Sequence, residues 1–368
     1  MILEKNENKF GNWELFVFTY SSTIVLGLIF LPYISDAEIR SAWLKVMIGV
    51  VPYILFLYLL FKVIKKFNQR DIFKTFDHLS TNWVYYPIMF YLFVSTLYSI
   101  FWGIKSLAIV IQTYLLQNTE QWIVMTVFFI VLWVSALYGI TAITRVVVLM
   151  FICDIVVVIT VVILIFSEEF KWINIPPVFT VDIFTFMKSS LSEMTRYGGI
   201  IALLSFLPLL KKDTNIFKST SSALLLVMVM YTLVSLITLG TFGYEQTLTL
   251  LSPLTALIQT TYADVALFER LDLFFLTIWI WALYKAAMIY VWFAADLFQR
   301  VIPLNEKKEW IPITVIVGII SVITMITPSF VNLKWEPYNI NMVIYTLALP
   351  IVLFVYMLLR KKQDFSEN

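Results

Sequence analysis

The chain has one histidine, His78, one cysteine, Cys153, and only ten glycines in 368 residues. A single histidine excludes histidine-dependent triads and multi-histidine metal sites. A single cysteine excludes an internal disulfide and any Cys-based metal centre, so no cofactor is expected. His78 follows a basic stretch at the expected start of a helix and reads as a solvated side chain. Charge is also scarce. Charged residues make up 14% of the chain, and the formal net charge of +2 is spread over short connections instead of gathered in a block. That distribution excludes a nucleic-acid-binding surface.

What fills the chain is apolar: 61% of its residues are hydrophobic, far above the soluble average of about half. About twenty consecutive apolar residues cross a bilayer core. This length selects spans near 13–33, 43–61, 85–109, 123–142 and 145–166 in the first half, and near 190–210, 223–242, 271–298, 310–326 and 341–359 in the second. The expected fold is therefore an all-α polytopic membrane protein of about ten transmembrane helices, with an uncleaved first span. Placing both termini in the cytoplasm puts seventeen lysines and arginines on the inner side, Lys62, Lys65, Lys66, Arg70 and Lys74 among them. The outer connections then hold Arg40, Lys45, Lys171, Lys188, Arg270 and Lys334, the asymmetry that the positive-inside rule requires. Two outer stretches, 167–188 and 243–270, are apolar enough for short interfacial or re-entrant helices.

Ten spans divide into five and five of opposite topology, the layout of inverted-repeat transporters, whose ligand site lies where the first helix of each half breaks. The repeats fall at about 12–166 and 190–360 of a single domain, 1–368. Gly27 in the first span and the adjacent Gly198 and Gly199 in the sixth mark the candidate breaks; close helix packing at a small residue is the competing reading. Lys285 lies mid-span in 271–298, beyond the reach of either interface, and costs about 3 kcal/mol on insertion scales. It requires a partner or a wet cavity, and Asp154, at similar depth in the fifth span, is the candidate partner. Lys105 lies in the outer third of its span, close enough to the interface to snorkel outward. Glu193 and Arg196 sit i,i+3 for a local ion pair. No group of carboxylates, histidines or nucleophiles stands at catalytic spacing, so no enzyme is expected.

The first span ending Gly27-Leu28-Ile29-Phe30-Leu31-Pro32, Tyr138-Gly139-Ile140 to Arg145, Phe268-Glu269-Arg270-Leu271-Asp272 to Trp279, and Lys285 occur in an order that resembles the B subunits of bacterial spore germinant receptors. These are spore-germination permeases of the amino acid–polyamine–organocation superfamily. The resemblance implies a LeuT-like 5+5 fold in the spore inner membrane or cell membrane, assembly with an A subunit and a lipoprotein C subunit, and sensing of a small germinant such as an amino acid. It also implies a ligand pocket that maps onto Thr23, Gly27, Tyr98, Trp102, Gly198, Gly199 and Tyr284. In sodium-coupled relatives a cation lies between the first and eighth helices, where the Lys285 ammonium would substitute for it by meeting carbonyls near Thr23–Gly27; a Lys285–Asp154 ion pair is the other reading. A proton-linked amino-acid transporter is the alternative function.

Overall fold

A computed structural model of the chain describes residues 9–24, 41–116, 118–164, 169–175, 182–250, 252–260, 271–302, 310–327 and 335–360. Among them the secondary structure is helical apart from one parallel bridge, Phe10 to Leu210. The α-helices are α1 (Asn12–Thr23), α2 (Ala42–Gly49), α3 (Val51–Phe67), α4 (Ile72–Leu79), α5 (Asn82–Tyr114), α6 (Gln121–Leu137), α7 (Gly139–Leu164) and α8 (Ile183–Met194). They continue as α9 (Leu203–Phe206), α10 (Ile216–Thr247), α11 (Pro253–Thr260), α12 (Leu271–Val301), α13 (Trp310–Ile326), α14 (Trp335–Val343) and α15 (Leu349–Leu359).

Among the described residues six stretches are long and apolar enough to cross a membrane: Ala42–Phe67, Asn82–Thr113, Gly139–Thr160, Ile216–Thr247, Thr277–Val301 and Tyr338–Leu359. Gln121–Leu137 and Trp310–Ile326 are apolar but shorter. The first expected span appears as α1, which ends at Thr23, and Gly27 lies outside the described residues. The sixth is a run of short segments: α8, a 3-10 helix Thr195–Ala202, α9 and a 3-10 turn Leu207–Leu209. Tight 3-10 geometry rarely persists beyond three or four residues, so eight in succession mark a place where packing overrides α propensity.

The helices sort by what surrounds them. On α3, Val51, Leu55 and Tyr58 face outward while Tyr53, Phe56, Leu57, Leu60 and Val63 are buried. Apolar residues on both faces are what a helix between core and lipid needs. Every residue from 283 to 295 of α12 is buried, Lys285 among them, which makes α12 the central strut, packed on α5, α7, α13 and α1.

Local signals set several ends. Asp71, Asp182 and Asn215 accept the backbone N–H groups of Lys74, Thr185 and Lys218, capping α4, α8 and α10. Gly139 has a φ of 76°, so a single residue, Tyr138, suffices to turn α6 into α7. α15 contains Pro350 and follows a π-helical turn, Ile344–Ala348. Proline lacks the N–H for the carbonyl one turn earlier and its ring crowds that turn, which widening relieves.

Four expectations change. His78 sits in the last turn of α4, not at the start of a helix. Lys105 does not snorkel; it is 1% exposed. In the stretch 167–188, the described part is a 3-10 turn, Trp172–Asn174, and then the start of α8, so regular helix begins before residue 190. In the stretch 243–270, α10 runs on through a kink at Gly243 (φ 68°) to Thr247, and α11 follows; residues 261–270, including Phe268, Glu269 and Arg270, lie outside the described set.

Candidate functional site

The end of α1 weakens itself. Thr19 donates to the Leu15 carbonyl (2.8 Å), while Ser22 and Thr23 both donate to the Thr19 carbonyl (3.1 and 2.7 Å). Such back-bonding competes with the helical ladder. Where α1 stops, the Tyr231 hydroxyl of α10 lies 3.0 Å from the Thr23 carbonyl and 2.9 Å from that of Ile24, and 3.4 Å from the Arg196 carbonyl. One phenolic proton is shared among carbonyls of two helices. Tyr231→Phe is expected to leave them unmet at low dielectric and to lower stability by about 1–3 kcal/mol, read as a drop in the thermal midpoint of the purified protein.

Gly199 is pressed onto this same end. A Cβ there would overlap the Ser22 carbonyl and lie 2.6 Å from the Thr23 Cα. The glycine pair therefore opens no loop: the segment leaves α geometry for a 3-10 helix, and Gly199 serves close backbone packing. Gly198 faces elsewhere, where a Cβ would meet Met342 and Thr346 at 2.9–3.1 Å. The π turn delivers neighbouring residues to different helices: Thr346 bonds the Tyr53 hydroxyl and Tyr345 bonds Thr96, both at 2.7 Å. The Tyr290 hydroxyl is within electrostatic reach of Tyr345, Tyr338, Tyr53 and Tyr231, and Tyr197 donates to the Val46 carbonyl at 2.9 Å. Buried tyrosines from four α-helices, the 3-10 helix and the π turn thus converge on one interior region.

Lys285 donates to Asp154, joining α12 to α7 with side chains 1% and 6% exposed. The ammonium is not aimed at the carbonyls that close α1, which are held by Tyr231 instead; a carboxylate outcompetes neutral carbonyls for a cation. α7, which carries Asp154, packs on α1.

Tyr98 and Trp102 of α5 pack on Tyr338, ring centroids 5.8 and 4.8 Å away. Tyr284 does not join the junction. Its hydroxyl meets Ser135 and the Val131 carbonyl (2.9 Å) on α6, because its position next to Lys285 turns it about 100° round the helix. Tyr53, Tyr197, Tyr231, Tyr290, Tyr345 and Thr346 are candidate residues that the sequence does not single out. The available signal was polar hydroxyls in the middle of apolar runs, which lipid-facing helices seldom carry.

Two polar clusters lie beyond this centre. Glu193 and Arg196 form the expected i,i+3 ion pair, and it is buried. Toward residues 70, 210 and 300, Arg300 bonds Asp71 (2.9 Å) and Asp296 (2.7 Å), and Ser205 donates to Asp296 (2.6 Å). Arg70 donates to the carbonyls of Leu210, Lys211 and Lys212 at 2.6–2.8 Å. These bonds tie α4 and the end of α12 to the segmented helix. No grouping of histidine, cysteine and carboxylate side chains suited to a metal ion is present among the described residues.

The comparisons with known proteins agree with this build. Spore germination protein A2 of Bacillus subtilis (strain 168) is 22% identical over 343 residues, covering 91% of this chain and 92% of that protein. The family described as spore germination protein matches residues 11–331, nearly the whole length of a chain whose described residues are mostly helical and bury a charged pair. On that match, the chain belongs to the spore germination protein family, as a multi-pass membrane protein.

Proposed function

We propose that the chain is the B subunit of a spore germinant receptor, an amino-acid-permease fold that binds a small germinant, an amino acid in the first instance, and triggers germination with an A subunit and a lipoprotein C subunit. In this reading the single domain has ten spans in a LeuT-like 5+5 arrangement, with repeats at about 12–166 and 190–360, both termini in the cytoplasm, and the spore inner membrane as its site. The family and the helical build fit a receptor or transporter rather than an enzyme.

The observation that carries the reading is the contact of the last turn of α1, at Ser22 and Thr23, with Gly199 in the 3-10 helix Thr195–Ala202. Helix ends expose carbonyls and amides that hold polar or zwitterionic groups. Thr23, Gly27, Gly198 and Gly199 form the floor of the proposed site, and Tyr98 and Trp102 its aromatic wall. Tyr284 supports α6 and takes no ligand. A germinant that favours one packing of this junction shifts the bundle between two states, with the buried Lys285–Asp154 pair holding α12 in register.

The test is a deletion strain scored for germination against a panel of amino acids and nucleosides. Loss of response to one germinant, restored by the wild-type gene, is the expected result. A deletion spore that answers every compound as the parent does would sink the reading, and saturable uptake of labelled amino acid by this chain alone in vesicles would replace sensing with transport.

A further inference from the structure

Lys105 follows Tyr98 and Trp102 on α5 at the spacing i, i+4, i+7, which places the three along one face. It is 1% exposed. Its ammonium donates to the Thr327 carbonyl at 2.9 Å, at the end of α13. An ammonium carries three donors, and among the described residues the other two have no partner and no carboxylate pairs with this lysine. Three other buried or half-buried cations are paired with carboxylates, while Lys45, also buried, lies over the Phe186 ring. Lys285 has Asp154, Arg196 has Glu193, and Arg300 has Asp71 and Asp296.

A helix C-terminus offers about half a negative charge, spread over several carbonyls. That leaves a whole buried ammonium largely uncompensated, and such a charge is costly unless paired. Capping α13 requires only a surface lysine in its own last turn. A lysine brought in from another helix and buried beside an aromatic wall does more than cap. Tyr98 and Trp102, packed on Tyr338 of α14, provide apolar surface beside the charge.

The geometry points to Lys105 as the receiver of a ligand carboxylate, with the ligand's apolar part lying against Tyr98, Trp102 and Tyr338. The ligand class is a small aliphatic carboxylate, and this names the anionic end of the germinant proposed above, a reading on which it rests. Binding leaves the Thr327 bond in place and uses the remaining N–H donors of the ammonium. Charge-assisted bonds of this kind are about twice as strong as neutral ones.

The test measures thermal unfolding of the full chain in dodecyl maltoside, without phospholipid, against acetate, propionate and butyrate and their amides. Wild type is expected to be stabilised by the acids and not by the amides. In Lys105→Gln, which keeps an N–H for Thr327 but no charge, half-saturation is expected to rise at least tenfold, and Lys105→Arg is expected to retain the response. Equal effects of acids and amides on wild type overturn the proposal even if the glutamine variant fails to fold. So does an unchanged response in that variant. A Lys105-dependent response to added phosphatidylglycerol and to none of the acids also overturns it, because the anion is then a headgroup phosphate. The two readings fail separately: an amino acid that triggers germination equally well as its amide removes the Lys105 site and leaves the sensor, whereas Lys105-dependent acid binding in a protein whose deletion alters no germination response removes the sensor and leaves the site.

Discussion

Lys285→Met is expected to lose about 3–5 kcal/mol of stability, because Asp154 is then a buried carboxylate without a counter-charge. Asp154→Leu is expected to cost a comparable amount by stranding the ammonium. The informative variant is the double replacement Lys285→Met/Asp154→Leu. Apolar groups of similar volume need no solvation, so the double variant should recover most of the loss and unfold near the wild-type midpoint. A thermodynamic cycle then isolates the coupling between the two sites. Additive effects would contradict the pairing seen between α12 and α7. Germination readout separates structure from signalling: a double variant that folds normally but no longer answers its germinant would place the charge pair in the switch as well as in the scaffold.

Gly199→Ala carries the second large effect. The added methyl meets the backbone of Ser22 and Thr23, not a side chain that can swing aside, so α1 and the 3-10 helix must separate. Overpacking of this sort costs about 1–3 kcal/mol and sometimes more. Gly318→Ala on α13 is the control, since a Cβ there has nothing within 4 Å. It should leave stability unchanged or improve it slightly through helix propensity. Equal midpoints for the two variants would show that the Gly199 contact does not hold the junction together.

These two positions differ in how far they were legible beforehand. Lys285 and Asp154 stand out as charges inside apolar runs, and matching depths made them candidate partners; periodicity does not say whether the ammonium turns to a carboxylate or to the carbonyls of a broken helix. Gly198 and Gly199 stand out as two of only ten glycines. Rarity marks the place but not the use, and adjacent glycines point in different directions, one onto the α1 backbone and the other onto Met342 and Thr346. Lys105 was misplaced for a related reason. Depth along a helix indicates how far a lysine must reach for water, while the end of α13 packed beside it decides that it never gets there.

Hydropathy by itself determined that the chain is helical and bound for lipid, where most helices begin and end, and which ionisable residues lie too deep to be solvated. Each follows from composition along one strand, because a bilayer demands apolar length and internally satisfied backbone. Only the tertiary structure decided which carbonyls the hydroxyl of Tyr231 serves, that Gly199 closes a contact instead of opening a loop, that Tyr284 turns to α6, and that tyrosines from separate helices meet at one centre. Those outcomes depend on the rotation of each helix about its axis and on its neighbours. A uniformly apolar run does not encode that rotation, since every face of it is equally acceptable to lipid; packing against the other helices sets it.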